Sequence, residues 1–259
     1  MRLANKTSIF INLILIIVLL GTVAPVKAEW TKHIIDDNWP FPKYLAVGDI
    51  GNDGDLDVVI TNGTNHDVSW YDSPSWDFTF IDQDLWDASE VLIADLNGDN
   101  LNDIIAAEYF YGEIVWYEAP NWTKHSIDSE LNGAYNIALA DLDGDDDLDV
   151  ISADDTFDIV FWYEAPTWTR HYIDENLYDA REVFAVDMDG DDDIDVVASG
   201  VLLDSIYWYE NPAWTKHEIG GGVGRPMCVY AADFDDDGDI DVVSSGFDNG
   251  DIVLFDAPT

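Results

Sequence analysis

Asp141-Leu-Asp143-Gly-Asp145-Asp-Asp147-Leu-Asp149 packs six carboxylates into nine residues. Three further segments keep the arrangement: Asp95-Leu-Asn97-Gly-Asp99-Asn-Leu101-Asn-Asp103, Asp187-Met-Asp189-Gly-Asp191-Asp-Asp193-Ile-Asp195 and Asp233-Phe-Asp235-Asp-Asp237-Gly-Asp239-Ile-Asp241. Oxygen-bearing side chains fall at positions 1, 3, 5 and 9 of each. Position 7 varies, with Leu101 among its occupants, so a backbone carbonyl is the expected ligand there. Hard oxygen donors in a tight, glycine-containing loop suit Ca²⁺, which takes about six to eight oxygens. Two carboxylates about 6 Å apart repel by roughly 3 kcal/mol at an effective dielectric of ~20, so several converging on one point require a cation. A merely solvated acidic turn does not account for identical spacing in every unit. An EF-hand is excluded, because the twelfth-position Glu and the flanking helices are missing. The fifth segment departs: Asp49-Ile-Gly51-Asn-Asp53-Gly-Asp55-Leu-Asp57 has Gly51 at position 3 and so loses a side-chain ligand. Up to five Ca²⁺ are expected, one per unit, with the first the weakest.

These segments recur every 46 residues, as Asp49, Asp95, Asp141, Asp187 and Asp233 show. Trp30, Trp76, Trp122, Trp168 and Trp214 recur with the same period and open units 30–75, 76–121, 122–167, 168–213 and 214–259. Within the third unit, Trp122–Ile127 alternates apolar and polar residues as a half-exposed strand does. Ile137–Ala140, the run from Val150, and Ile159–Tyr163 supply three more strand-like segments, with the acidic loop after the first of these. Four short strands repeated at this period predict an all-β β-propeller of five blades, each of four antiparallel strands. The chain begins with a Trp-Thr-Lys-His strand and the last unit lacks its own fourth. Trp30–Ile35 is therefore expected to complete the last blade and close the ring, which removes two exposed sheet edges. Nine of the eleven tryptophans occupy two repeat positions and are read as packing between blades. His33, His125, His171 and His217 share one register and are read as structural or solvent-facing.

The run Asp-Leu-Asp-Gly-Asp-Asp-Asp-Leu-Asp-Val, preceded by an apolar strand and followed by Trp-Tyr-Glu, resembles the FG-GAP/VCBS-like repeat family, whose best-known members are the propeller heads of integrin α subunits. The resemblance covers residues 30–259. It implies a propeller whose acidic loops bind structural calcium on the face opposite the usual ligand face. Members of the family usually have seven blades, whereas this chain has five units.

Residues 1–28 read as a secretory signal peptide: Arg2 and Lys6, then an apolar run from Ile9 to Leu20, then Val26-Lys27-Ala28 as the cleavage site. The mature domain is then 29–259, secreted or at the cell surface or periplasmic, with no membrane insertion after cleavage. The only cysteine is Cys228, so no disulfide can tie an exported chain together and calcium takes that role. Removing Arg2, Lys6 and Lys27 but no acid takes the net charge from −44 to −47. Such a charge argues against nucleic acid or an anionic membrane as partner. Hydrophobic residues at 47% and aromatic ones at 13% supply a core, which argues against disorder.

Function is expected on loops that vary while the scaffold repeats. These are 38–44, 84–90, 130–136, 176–182 and 222–228, with a second set around His66, Tyr109–Tyr111, Phe157, Leu202–Leu203 and Phe247. Tyr44, Glu90, Asn136, Glu182 and Cys228, each the last loop position before a first strand, are expected to ring the central opening. Tyr135, Tyr178, Arg181 and Arg225 lie beside them. Tyr, Asn, Glu and Arg together suit a sugar. A glycan- or protein-binding module is the leading reading. A polysaccharide lyase or hydrolase using Glu90, Glu182 and Arg181 is the alternative, although no nucleophile–His–Asp set or paired-carboxylate motif stands out. A purely structural surface protein is the third.

Overall fold

The computed structural model describes residues 31–39, 41–63 and 66–258. The expected signal peptide and Trp30 lie outside them. The chain divides into two compact units, Met1–Asp37 and Asn38–Thr259. In the first, residues 31–37 are exposed and carry no strand. Everything that follows belongs to the second.

All regular structure among the described residues is β, in five antiparallel sheets taken in chain order. The first holds β1 (Pro42–Gly48), β2 (Asp57–Asn62), β3 (Asp67–Asp72) and β4 (Asp77–Asp82). The second holds β5 (Ala88–Ala94), β6 (Asp103–Glu108), β7 (Ile114–Glu118) and β8 (Thr123–Asp128). The third holds β9 (Ala134–Ala140), β10 (Asp149–Asp154), β11 (Ile159–Glu164) and β12 (Thr169–Asp174). The fourth holds β13 (Ala180–Val186), β14 (Asp195–Gly200), β15 (Ser205–Glu210) and β16 (Thr215–Gly221). The fifth has three strands, β17 (Pro226–Ala232), β18 (Asp241–Gly246) and β19 (Ile252–Phe255). Each four-stranded sheet thus takes its last strand from the following sequence unit.

Burial follows from the composition of each strand. β10, Asp-Val-Ile-Ser-Ala-Asp, is buried throughout, and its small and β-branched residues pack on both faces. β12, Thr-Arg-His-Tyr-Ile-Asp, is mostly polar and only partly buried. The core lies between sheets rather than within one. One cluster joins Ile105, Ile114 and Trp116 of the second sheet to Ile137, Phe161 and Tyr163 of the third. Similar clusters join first to second, third to fourth and fourth to fifth. Trp116 and Trp162 are buried in them, in keeping with a packing role. Three of the histidines that share a register make repeated packing contacts. His125 stacks on Trp116 at 4.5 Å and pairs with Glu118 at 2.8 Å, and His171 and His217 repeat both contacts. Tyrosines bridge neighbouring sheets, Tyr117 donating to Asp82 at 2.7 Å and Tyr209 to Asp174 at 2.7 Å.

The first strands β1, β5, β9, β13 and β17 pack side by side in that order. At the two ends of the series apolar side chains face solvent: Leu45 of β1 is 63% exposed and Ile252 of β19 is 82% exposed. The outer edge of β19 has no strand partner among the described residues.

One boundary differs from the sequence reading. The first strands begin earlier than expected, so Tyr44, Glu90, Asn136, Glu182 and Cys228 lie inside strands and not at the ends of loops. The cause is an irregular register. Ala134 pairs with Asp154 and Asn136 with Ala153, so the ladder continues past the polar residues that read as loop.

Candidate functional site

Each acidic segment connects the first and second strands of its sheet, and its ninth residue starts the second strand. The loop is held by its own carboxylates. Asp141 accepts the amides of Gly144, Asp145 and Asp146 at 2.8–3.1 Å, and Asp145 accepts that of Asp147 at 2.9 Å. Gly144 and Asp146 sit at φ 79° and 73°, the left-handed region that glycine and aspartate tolerate best. Asp149 is buried, and its two oxygens accept the amides of Leu142 and Ala165, both at 2.9 Å.

Positions 1, 3 and 9 converge in three units. Asp141, Asp143 and Asp149 each offer a ligand oxygen, all within 4.8 Å of one another, as do Asp187, Asp189 and Asp195, and Asp233, Asp235 and Asp241. Positions 5 and 7 stand outside these groups: Asp145, Asp191 and Asp237, and Asp147, Asp193 and Asp239. In the second unit Asn97 replaces the carboxylate at position 3, leaving Asp95 and Asp103 as acids there, with Asp99 and Leu101 at positions 5 and 7. In the first, Gly51 leaves Asp49 and Asp57, with Asp53 and Asp55 at positions 5 and 7. Burial pushes the Asp143 carboxyl up, and the charges of Asp145, Glu164 and Asp141 add to it. Burial also raises Asp149, to about 6, against the lowering effect of its two amide donors. Three hard, mutually repelling donors in one exposed loop fit a divalent cation. Each carboxylate oxygen can accept an amide and still offer a lone pair to a metal.

Elsewhere the first strands gather a polar group. Asn136 Nδ2 lies 3.4 Å from Glu90 and 3.4 Å from Glu182, while its Oδ1 accepts the Val183 amide at 3.0 Å. All three line a cavity of about 470 Å³ whose other walls include Leu92, Ile93, Leu139, Phe184 and Tyr230. Burial raises Glu90 to about 7 against hydrogen bonds from Asn136 and Val91. Burial, and then the charge of Glu90, raises Glu182 to about 8. Tyr44 is bonded to Tyr135 and is also raised, by burial first and then by Tyr135 and the two glutamates.

Arg181 leans over the Tyr135 ring at 4.9 Å and pairs with Asp179 at 3.2 Å and Asp155 at 3.4 Å. It does not line the glutamate cavity. Tyr178 is half exposed and Arg225 pairs with Asp248 at 3.6 Å beside Phe247; neither lines the cavity. Cys228 is exposed and bonds Ser245, also apart from the cavity lining. The sequence reading missed Asp155 and Asp179 as partners of Arg181. It also missed that His66, Trp86 and Tyr111 meet. The period signals only contacts between equivalent positions: Tyr109 bonds Asp155 at 3.3 Å, 46 positions on, the same offset that relates Glu90, Asn136 and Glu182, whereas the Arg181 pairs and the aromatic trio do not share it.

Face-packed antiparallel sheets, each with an acidic loop between its first two strands, define an all-β repeat protein of propeller-like type. Residues 95–152 and 187–244 each match the FG-GAP-like repeat, running from one acidic loop into the second strand of the next sheet. No curated protein matches the sequence. Among solved structures, the fold is similar to an auxiliary nutrient binding protein from Bacteroides thetaiotaomicron, with a TM-score of 0.54 and 11% identity over 77% of this chain and 57% of that one. It is also similar to the extracellular domain of a hybrid two-component system from the same organism, with a TM-score of 0.57 and 13% identity over 85% of this chain and 28% of that one. The chain therefore spans less than two thirds of either. No helix among the described residues is long and apolar enough to cross a membrane.

Proposed function

We propose that the chain is an exported, calcium-stabilised β-propeller binding module that recognises a glycan, or else a surface protein, through the face opposite its acidic loops. Asp141, Asp143 and Asp149, and their counterparts in the fourth and fifth units, would hold Ca²⁺. The second loop would hold it with Asp95, Asn97 and Asp103, and the first most weakly. The ion supplies positive charge that lets three carboxylates share one loop. The segment Trp30–Ile35, which carries no strand over its described residues, would become a strand on pairing with β19 and close a five-bladed ring.

The observation that carries the binding reading is the meeting of Glu90, Asn136 and Glu182 at one cavity. These are fixed polar groups with apolar walls, the usual make-up of a small-ligand site. The nutrient-binding and extracellular descriptions of the two similar structures favour the same reading. The test is a glycan array probed with the purified chain in calcium and in chelator. Calcium-dependent binding to a defined sugar class supports the proposal. Silence in both conditions, with the fold intact, counts against glycan recognition.

A second reading is favoured by the two raised glutamates. Two carboxylic acids bridged by one amide, both titrating near neutrality, could act as acid and base on a polysaccharide. Polymer turnover that disappears in both Glu90→Gln and Glu182→Gln would replace binding by catalysis as the primary role.

A further inference from the structure

Three loops of the first two sheets bring aromatic rings together at the surface, apart from the residues that line the glutamate cavity. His66 stacks on Trp86 with ring centroids 3.8 Å apart and planes at 17°. Tyr111 meets Trp86 at 5.9 Å and 75°, and Phe110 stands edge-on to Tyr111 at 5.0 Å. Trp86 is 45% exposed, Tyr111 58% and Phe110 62%. The result is a corner: one indole face backed by an imidazole, with a phenol wall nearly at right angles to it.

The corner is fixed by the backbone. Leu85 N donates to His66 O at 3.0 Å, and Tyr109 N to Asp87 O at 3.4 Å. Tyr111 N donates to the Glu108 carboxyl at 3.2 Å. An exposed tryptophan held this firmly loses little conformational freedom when a ligand lands on it.

The repeat supplies an internal comparison. The positions equivalent to His66, Trp86 and Tyr111 are Gly112, Asn132 and Phe157 one unit on, then Asp158, Tyr178 and Leu203, then Asp204, Gly224 and Asn249. The scaffold is the same each time, and only here do three aromatic rings coincide. Packing between sheets, which repeats, does not require the trio.

The chemistry narrows the ligand. The negative face of an indole attracts the polarised C–H groups on the face of a sugar ring, while hydroxyls at the ring edge stay in reach of water and polar groups. Asp84 and Asp87 flank Trp86 in the chain, Asp87 is tied to Lys43 at 2.8 Å, and the whole chain carries −44. That field disfavours uronates, sulfated sugars and nucleic acids. We propose that Trp86, backed by His66 and walled by Tyr111, is a stacking subsite for one uncharged sugar ring, an inference that rests on the glycan-binding reading and names its substrate class.

The purified chain, in calcium, is titrated by calorimetry and tryptophan fluorescence with uncharged hexasaccharides of the gluco, manno, xylo and chito series, with oligogalacturonate as the anionic comparator. At least one uncharged oligosaccharide should bind and perturb the fluorescence. Trp86→Ala should weaken it about tenfold or more, the equivalent of about 1.4 kcal/mol. Trp86→Phe should retain most of the affinity. Tyr172→Ala, an exposed ring on β12, should change nothing, and all variants should melt like the parent. Undiminished binding by a folded Trp86→Ala protein would overturn the subsite while leaving glycan recognition standing. Binding of oligogalacturonate alone would overturn the substrate class. No binding by the parent chain would remove both the subsite and the glycan reading.

Discussion

Asp149 accepts the amide of Ala165 at 2.9 Å, which ties the end of an acidic loop to the residue just past the third strand of the same sheet. The bond recurs in every unit: Asp57 with Ser73, Asp103 with Ala119, Asp195 with Asn211 and Asp241 with Ala257, at 2.8–2.9 Å. In every unit the other oxygen accepts the amide of the second loop residue, at 2.9–3.1 Å. The ninth aspartate is therefore a structural clamp as well as a candidate ligand. That explains why Asp57 is present in the first unit although Gly51 has removed the ligand at position 3.

The clamp sets an expectation for stability that is independent of metal. Asp149→Ala leaves two amides of buried residues unpaired, Leu142 and Ala165, at about 1–3 kcal/mol each, and should destabilise the chain by about 2–6 kcal/mol even in chelator. Asp147→Ala removes an exposed side chain outside the ligand group and should stay within about 0.5 kcal/mol under the same conditions. Urea unfolding of both variants in chelator decides it. Equal midpoints would mean that Asp149 serves the metal alone.

Calcium should add stability wherever three acids converge. Binding to the folded state alone contributes RT ln(1 + [Ca²⁺]/Kd) per site. Chelation should lower the melting temperature markedly, and Asp141→Ala should reduce the calcium-dependent part more than Asp49→Ala. Asp49 lacks a position-3 partner, whereas Asp141 has Asp143. The reverse ranking, or a melt indifferent to chelator, would reject the acidic loops as the tie that replaces disulfides.

The all-β class, the strands of the second to fifth units and the loop carboxylates were legible because a 46-residue repeat imposes one solution, whereas the strand expected at Trp30–Ile35 is not formed over 31–35. The strand starts were not. Asn136 reads as loop because it is polar and follows Leu131-Asn-Gly-Ala-Tyr, but an irregular register carries β9 back to Ala134. Contacts across sheets were legible in principle, since residues one period apart sit on adjacent first strands, as Glu90, Asn136 and Glu182 do. The diversion of Arg181 to Asp155 and Asp179 was not, because it depends on side-chain reach and on charges from two different loops.

The two glutamates carry a pH signature. Burial holds Glu90 near 7 and Glu182 near 8, both above the ordinary carboxylate range. Folding therefore favours their protonated forms. The stability this contributes is fully present below the ordinary range and is lost as pH rises through about 7 to 8. A Glu90→Gln/Glu182→Gln chain cannot ionise there. It should melt close to the parent at pH 5 and above it at pH 8.5, with calcium held constant. A difference that does not change with pH would mean that the glutamates are solvated in the folded chain.

Ring closure makes the last prediction. In the second sheet Trp116 lies opposite His125, Tyr117 opposite Lys124 and Glu118 opposite Thr123. The same register in the fifth sheet would set Leu254 opposite His33, Phe255 opposite Lys32 and Asp256 opposite Thr31. His33 would then meet an acid at the position where His125 meets Glu118. The outer edge of β19 has no strand partner among the described residues, and native sheets cover or blunt such edges. A chain beginning at Asn38 should therefore unfold at lower urea than one beginning at Glu29. The amides of Ile252–Phe255 should exchange with solvent much faster in the shorter chain, while those of β11 keep their protection. Equal midpoints and equal exchange at β19 would show that the N-terminal strand does not complete the fifth sheet.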